Sequence, residues 1–383
     1  MNKTAILIIS LSIIVGLIVT IQLTKSNGGN KPPASNSITS SITNSILGLS
    51  STSSAPELQG IAGYINTPSN LSITSLRGKV VLVDFWTYSC INCIRTLPYV
   101  TAWDMKYRDK GLVIIGVHTP EFEFEKNYSN VQAAVAKFGI TYPVVLDNDY
   151  ATWRAFNNRY WPRKYLIDSN GSIRYDHIGE GNYEETEQMI QKLLSERDKS
   201  IQMDGLVSQN ISSSIASNDF SGLGTPEIYL GYDFARAALG NPEGFQPEQL
   251  VNYTYPPSSN SAFQPYSNTV YLNGTWKNNP DNMELASDSG TIILNYKAKN
   301  LNIVAGNING SSSSVSFTLD GRLPIQSELG SDAFFAGNTS TLSRTVVNSE
   351  RLYSLVYAQN YSQRTIYISV KGKGFRIYTF TFG

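Results

Sequence analysis

The chain has 383 residues, 30 of them basic and 30 acidic, and only 16% carry charge. That length suits two domains of ordinary size, and the even balance excludes the basic footprint of a nucleic-acid or acidic-lipid binder. The 2 cysteines, Cys90 and Cys93, and the 2 histidines, His118 and His177, are too few and too scattered to ligate structural zinc. No motif calls for a metal or an organic cofactor.

Residues 5–23 are almost wholly apolar and would span about 28 Å as a helix, enough to cross a bilayer. Lys3 precedes the segment and Lys25 follows it, so charge alone does not orient it. No small-x-small cleavage site follows it. Residues 1–25 are therefore expected to be an uncleaved single-pass anchor, with a cleaved signal segment as the alternative. The remainder would lie outside the cytoplasm. Residues 26–56 are rich in Ser, Thr and Asn, with Gly28-Gly29 and Pro32-Pro33 but no apolar period, and read as a flexible tether. Asn210, Asn252, Asn273, Asn309, Asn338 and Asn360 open Asn-x-Ser/Thr triplets, which a chain of this composition also produces by chance.

The run 80–86 is Val-Val-Leu-Val-Asp-Phe-Trp and reads as a strand buried on both faces. Thr87-Tyr88-Ser89 lead to Cys90-Ile91-Asn92-Cys93. Apolar residues at 94, 97, 100 and 103, with Gly111 as a stop, fit a helix bent at Pro98. The cysteines thus fall at a strand-to-helix junction. Free N–H groups and the helix dipole favour a thiolate on Cys90, where a pKa falling from ~8.5 to ~7 is worth about 2 kcal/mol. On this reading Cys90 is the nucleophile and Cys93, one turn inside, the resolving thiol.

Val83-Asp84-Phe85-Trp86 followed by Cys90-x-x-Cys93 resembles the active-site segment of thioredoxins. The resemblance implies that Asp84 is a buried carboxylate exchanging a proton with Cys93, its pKa raised by burial. The plainer reading is a strand-end acid in an ordinary hydrogen bond. Residues 111–121 make a second buried strand ending His118-Thr119-Pro120-Glu121 and resemble the membrane-anchored TlpA/ResA branch. There Glu121 would lie beside the cysteines; otherwise it is a solvated loop acid. His118 reads as structural.

A helix over 122–138 follows, then a strand over 142–147 and a short helix over 150–158. Trp161-Pro162 opens the next strand. By the same resemblance Pro162 is a cis proline facing the cysteines, and the Trp161 backbone pairs with a substrate chain; the alternative is a trans proline on an edge strand. Asn170-Gly171 turns into a strand over 172–178, and a helix over 183–197 closes a thioredoxin-like domain set at 57–198.

Residues 199–224 are polar and read as a connector. Beyond it, short Ile/Val/Tyr/Phe/Thr runs at 268–271, 290–296, 301–304, 314–319, 352–357, 365–370 and 375–382 alternate with turns such as Asp320-Gly321. Such spacing predicts an all-β sandwich or jelly roll over 225–383. The segments 225–232, 273–276, 298–306, 319–321, 351–353 and 378–383, in order with 86–93, resemble the extracytoplasmic part of DipZ-type proteins. In that family a thioredoxin-like domain precedes a sandwich similar to a carbohydrate-binding module, often fused to a CcdA-type membrane domain. This chain carries one candidate span, so the resemblance implies an electron donor acting in trans. Trp276 and the tyrosines offer either sugar-stacking faces or sandwich core.

The leading expectation is a membrane-anchored thiol–disulfide oxidoreductase acting on extracytoplasmic protein thiols and disulfides through a mixed disulfide. Thr87-x-x-Cys90 also spells a peroxiredoxin motif, although Val83 stands where those enzymes carry proline. A third reading is a non-catalytic surface module stapled by a Cys90–Cys93 bridge, but so short a loop gains little from closure.

Overall fold

The structure, a computed structural model, describes residues 53–214, 221–255, 263–335 and 343–383. The apolar segment 5–23, most of the tether and Asn338 lie outside the described residues. Residues Ser53–Gly383 form one compact unit. Among the described residues no helix is long and apolar enough to cross a membrane.

The first region is built on a 6-stranded sheet, ordered β1 (Gly63–Ile65), β4 (Val144–Leu146), β3 (Leu112–His118), β2 (Val80–Trp86), β5 (Arg163–Ile167) and β6 (Ile173–Ile178). Strands β2, β3 and β4 run parallel, whereas β1, β5 and β6 pair antiparallel with their neighbours. Every residue of β2 is buried, as a Val-rich central strand requires. Its period of two sorts the side chains. Val80, Leu82 and Trp86 join the core under α1 (Ile91–Tyr107), and Val81, Val83 and Phe85 join the opposite one. By that alternation Asp84 points to the α1 side.

Helix α1 is capped by Cys90 and runs through Pro98; a short turn then ends at Gly111, whose φ of 99° needs a residue without Cβ. The helix expected over 122–138 is divided. A 3₁₀ turn, Glu123–Lys126, precedes α2 (Tyr128–Lys137), because Asn127 is extended and its side chain accepts from Ser129 N at 2.9 Å as a new cap. Helix α3 is limited to Ala151–Ala155, and α4 (Tyr183–Arg197) has the expected bounds. The expected connector contains a helix, α5 (Val207–Ser214). Buried Glu187 on α4 accepts from Val207 N at 2.9 Å, Ser208 N at 2.8 Å and Tyr107 Oη at 2.5 Å. This carboxylate cap was invisible to apolar periodicity.

The second region is a 12-stranded sheet: β7 (Ile228–Tyr229), β8 (Leu250–Tyr253), β9 (Val270–Asn278), β10 (Met283–Leu285), β11 (Ser289–Ala298), β12 (Leu301–Asn307), β13 (Ser313–Leu319), β14 (Phe334–Phe335), β15 (Ser343–Val347), β16 (Arg351–Val356), β17 (Ser362–Lys371) and β18 (Phe375–Phe382). β9 serves two halves of it: its start pairs with β11, and beyond Gly274 (φ 104°) it pairs with β8 and β10. Side chains from both halves meet in one core, where Tyr296 of β11 stacks on Phe382 of β18 at 5.6 Å. Trp276 is fully buried in that core and donates to Asn273 O at 3.1 Å, so it is not a sugar-stacking platform.

The two regions share apolar structure. Tyr229, Val304 and Tyr378 belong to the same buried cluster as Tyr88, Phe122 and Phe124. Tyr378 lies 5.2 Å from Phe122 and 4.7 Å from Phe124, ring to ring.

Candidate active site

The site forms where β2 ends and α1 begins. Cys90 is the N-cap of α1, extended at φ −75° and ψ 117°, and its Sγ accepts from Cys93 N at 3.2 Å. Both cysteines are free thiols, Cys90 partly exposed and Cys93 buried. The spacing therefore has the consequence expected of it: one sulfur is presented at the helix terminus and the other is enclosed one turn on.

The thiol acidity differs from the sequence expectation. Burial pushes the Cys90 thiol up, and the Glu121 and Glu227 carboxylates push it further, against hydrogen bonds from the Cys93 thiol and amide that favour the thiolate. The cap position alone would have lowered it; burial first, and the carboxylates after it, outweigh the helix end. Cys93 is raised more, by burial, by the hydrogen bond it gives Cys90 and by the charges of Cys90 and Asp84. Of the pair, Cys90 is the sulfur that takes the thiolate.

Beneath Cys93, Asp84 is buried and its acid is raised to about 6 by burial, with the Lys164 charge pulling the other way. Asp84 and Lys164 are direct cross-strand partners in the β2–β5 ladder. Lys164 is fully buried, donates to Gly179 O at 3.2 Å and is pushed down by burial while Asp84, Cys93 and Glu180 oppose the shift. The other neighbour of Asp84 in the sheet is Gly116, where an added Cβ would come within 3.0 Å of Trp86 Nε1.

Glu121 follows β3 and faces Cys90. Burial and the Glu227 and Glu125 carboxylates push its acid up to about 8, against the Tyr229 hydrogen bond and the Arg236 charge. It is not a solvated loop acid. Glu125 is fully buried and ties two loops together: it accepts from Ser89 Oγ at 2.6 Å and Ser89 N at 3.3 Å, and from Glu121 N at 2.6 Å and Phe122 N at 3.1 Å. His118 is buried, stacks on Tyr88 and lies 3.3 Å from Thr87 Oγ1; burial lowers its pKa to about 3, so it stays neutral.

The Trp161–Pro162 peptide bond is cis. Trp161 donates its indole N–H to Thr119 O at 3.1 Å and rests on Trp153, while Pro162 is buried and its carbonyl accepts from Gly179 N at 2.8 Å. Trp161 and Cys90 both pack on the core that contains Cys93.

Sequence reasoning singled out Cys90, Cys93, Asp84, Glu121, Trp161 and Pro162 but missed Lys164, Glu125, Glu227 and Tyr229. Lys164 left only a faint signal, a second basic residue after Arg163 at the head of the strand run Tyr165-Leu166-Ile167. Glu125 left a weaker one, since Glu123 and Glu125 read alike in sequence. Glu227 and Tyr229 lie in the run 225–232 that carries the DipZ resemblance, but nothing local placed them at the thiols, because only the contact between regions brings them here.

The Redoxin family matches residues 51–194, and the family described as thioredoxin like C-terminal domain matches residues 225–383. The chain is 40% identical over 284 residues to Protein DipZ of Mycobacterium tuberculosis, an alignment covering 73% of this chain and 39% of that protein. It is 31% identical over 142 residues to thiol-disulfide oxidoreductase YkuV of Bacillus subtilis, covering 37% of this chain and 94% of YkuV. Thiol-disulfide oxidoreductase ResA of Geobacillus thermodenitrificans is 29% identical over 121 residues, covering 32% of this chain and 67% of ResA. The chain therefore spans 39% of the length of the DipZ protein it matches.

Proposed function

The chain belongs to the thioredoxin-like thiol–disulfide oxidoreductases with a DipZ-like region, and on that premise we propose that it reduces disulfides of extracytoplasmic proteins through a mixed disulfide. The observation that carries the reading is the Cys90–Cys93 pair at the head of α1 with the buried Asp84 carboxyl beside Cys93. The Cys90 thiolate attacks a substrate disulfide, forming Cys90–S–S–R and releasing one substrate thiolate. Cys93 gives its proton to the Asp84 carboxylate and attacks the Cys90 sulfur. The Cys90–Cys93 disulfide forms, the second substrate thiolate leaves, and two electrons have passed to the substrate. Glu121 exchanges protons on the Cys90 side, and Trp161 with Pro162 borders the substrate chain.

Reduction is the direction that the surroundings favour. A thiol held up by burial and neighbouring carboxylates is not stabilised as thiolate, which makes its dithiol a better electron donor, the converse of oxidants whose reduced form is stabilised. The peroxidase reading is disfavoured because the Thr87 hydroxyl is engaged by His118 and Glu125 rather than by Cys90. A non-catalytic staple leaves the buried Asp84 and Lys164 without a purpose.

For the wider arrangement we propose residues 1–25 as a single-pass anchor, 26–56 as a tether whose last residues pair with the first domain at Ser54–Ser172, 57–198 and 225–383 as extracytoplasmic domains joined by 199–224, and a CcdA-type membrane donor in trans. We read the second domain as a β-sandwich of the carbohydrate-binding-module type. With Trp276 in the core, the aromatic faces left for a sugar are exposed ones such as Tyr266 and Tyr357.

In the test, the reduced full chain is mixed with a protein disulfide, and Cys93→Ser is probed for a retained partner by non-reducing electrophoresis. Reduction by the native chain and a dithiothreitol-labile adduct on the variant are expected. Absence of both outcomes defeats the proposal.

A further inference from the structure

The rim of Cys90 is not made by the thioredoxin-like region alone. Tyr229 belongs to β7, held on the second domain's sheet by pairing with Thr379 of β18. Its hydroxyl is shared between two carboxylates from different domains, donating to Glu121 Oε1 at 2.6 Å and lying 3.1 Å from Glu227 Oε2. The ring is buried, with Phe122 6.3 Å away and the Arg236 guanidinium over it at 4.8 Å. A cavity of about 290 Å³ opens beside this group and is bounded by Asn92, between the cysteines, and by Thr225, Pro226, Glu227 and Phe382 of the second domain.

We propose that the second domain supplies part of the thiol site: Glu227 and the Tyr229 hydroxyl hold the Glu121 carboxylate beside Cys90, which makes them positioning residues for thiol–disulfide exchange. The inference rests on the thiol-exchange reading and adds to it a residue set from outside the thioredoxin-like region. The Tyr229 hydroxyl offers one proton to two carboxyl groups, and the crowding of acids is part of what raises Glu121 to about 8. The groups that face it are Cys93 from α1, Glu121 from the loop after β3, Glu125 from the following turn, and Glu227, Tyr229 and Arg236 from the second domain. Asp84 and Lys164 act on Cys93 from below. Glu227 and Glu121 both oppose a thiolate on Cys90, so neutralising Glu227 makes that thiolate easier to form.

The test measures the pH dependence of Cys90 alkylation by iodoacetamide in the reduced full chain carrying Cys93→Ser, with thermal melting as a check on the fold. Glu227→Gln is expected to move the alkylation midpoint down by roughly half a pH unit, about a threefold faster reaction below the midpoint, with Glu227→Asp returning most of the shift. In a double-mutant cycle, Glu121→Gln and Glu227→Gln are expected to be non-additive, because Glu227 also sets how readily Glu121 ionises beside Cys90. An unchanged profile for Glu227→Gln in a normally melting protein overturns the inference, as does strict additivity. Failure of the unmutated chain to exchange with dithiothreitol would instead condemn the exchange reading, and the alkylation profile would still judge the placement of Glu227.

Discussion

The two sulfurs of the site are one helical turn apart but face different parts of the molecule. Around Cys93 the charged groups, Asp84 and Lys164, are cross-strand partners on the central strands of a single sheet. Around Cys90 the carboxylates come from a loop and from a second domain, joined by the Tyr229 hydroxyl. The resolving half is set by strand register, which one residue's slip would destroy. The attacking half is set by how two domains pack. One dithiol is thus governed by two structures that fail in different ways.

The largest way to break that division is to loosen the packing. Tyr378→Ala empties a buried ring site against Phe122 and Phe124 and is expected to cost about 3–5 kcal/mol. Calorimetry should then show two transitions in place of one, with Cys90 alkylation altered and the β2–β5 pairing intact by hydrogen exchange. A single, barely shifted transition would show that the domains do not support each other.

Asp84→Asn probes the other half. Removing a general base is expected to slow resolution of the mixed disulfide by about 10²-fold. The sign of its pH dependence follows from a raised acid: the carboxylate that accepts the Cys93 proton is populated above about pH 6 and lost below it. Stopped-flow exchange rates should rise through pH 6 in the native chain and lose that rise in the variant. A rise of equal size in both would remove Asp84 from the mechanism. Its effect on the Cys90 alkylation midpoint should be the smaller one.

Glu125→Gln sharpens the comparison with the least expected effect, about 1–3 kcal/mol in chemical denaturation. The carboxylate accepts from Ser89 next to Cys90 and from the Glu121 backbone, so it serves the attacking half. Slower attack with an unchanged resolving rate is expected; the reverse would mean that the halves are not separable.

The resolving half was legible in sequence because local periodicity encodes it. Alternation along 80–86 places Asp84 on one face, and the cysteine spacing places Cys93 one turn into a helix. Even so, the acidity expected for Cys90 had the wrong direction, since a helix end can be read from a sequence whereas the burial and the carboxylates that oppose it cannot. Glu227 lies 137 positions after Cys90 in the numbering, and no local pattern records that the two meet. The same holds for Glu187: the connector looked unstructured because its helix is capped by a carboxylate from another element, not by its own residues. In the second region, strands with strong alternation stood out, whereas β8, β10, β14 and β15 were too short or too polar to announce themselves.

The aromatic contact of Tyr378 with Phe122 and Phe124 has a mechanical meaning as well. It ties the sheet that carries the thiols to the sheet that flanks them, so the second domain works as a handle. Whatever grips that handle fixes the height and aspect at which Cys90 is offered.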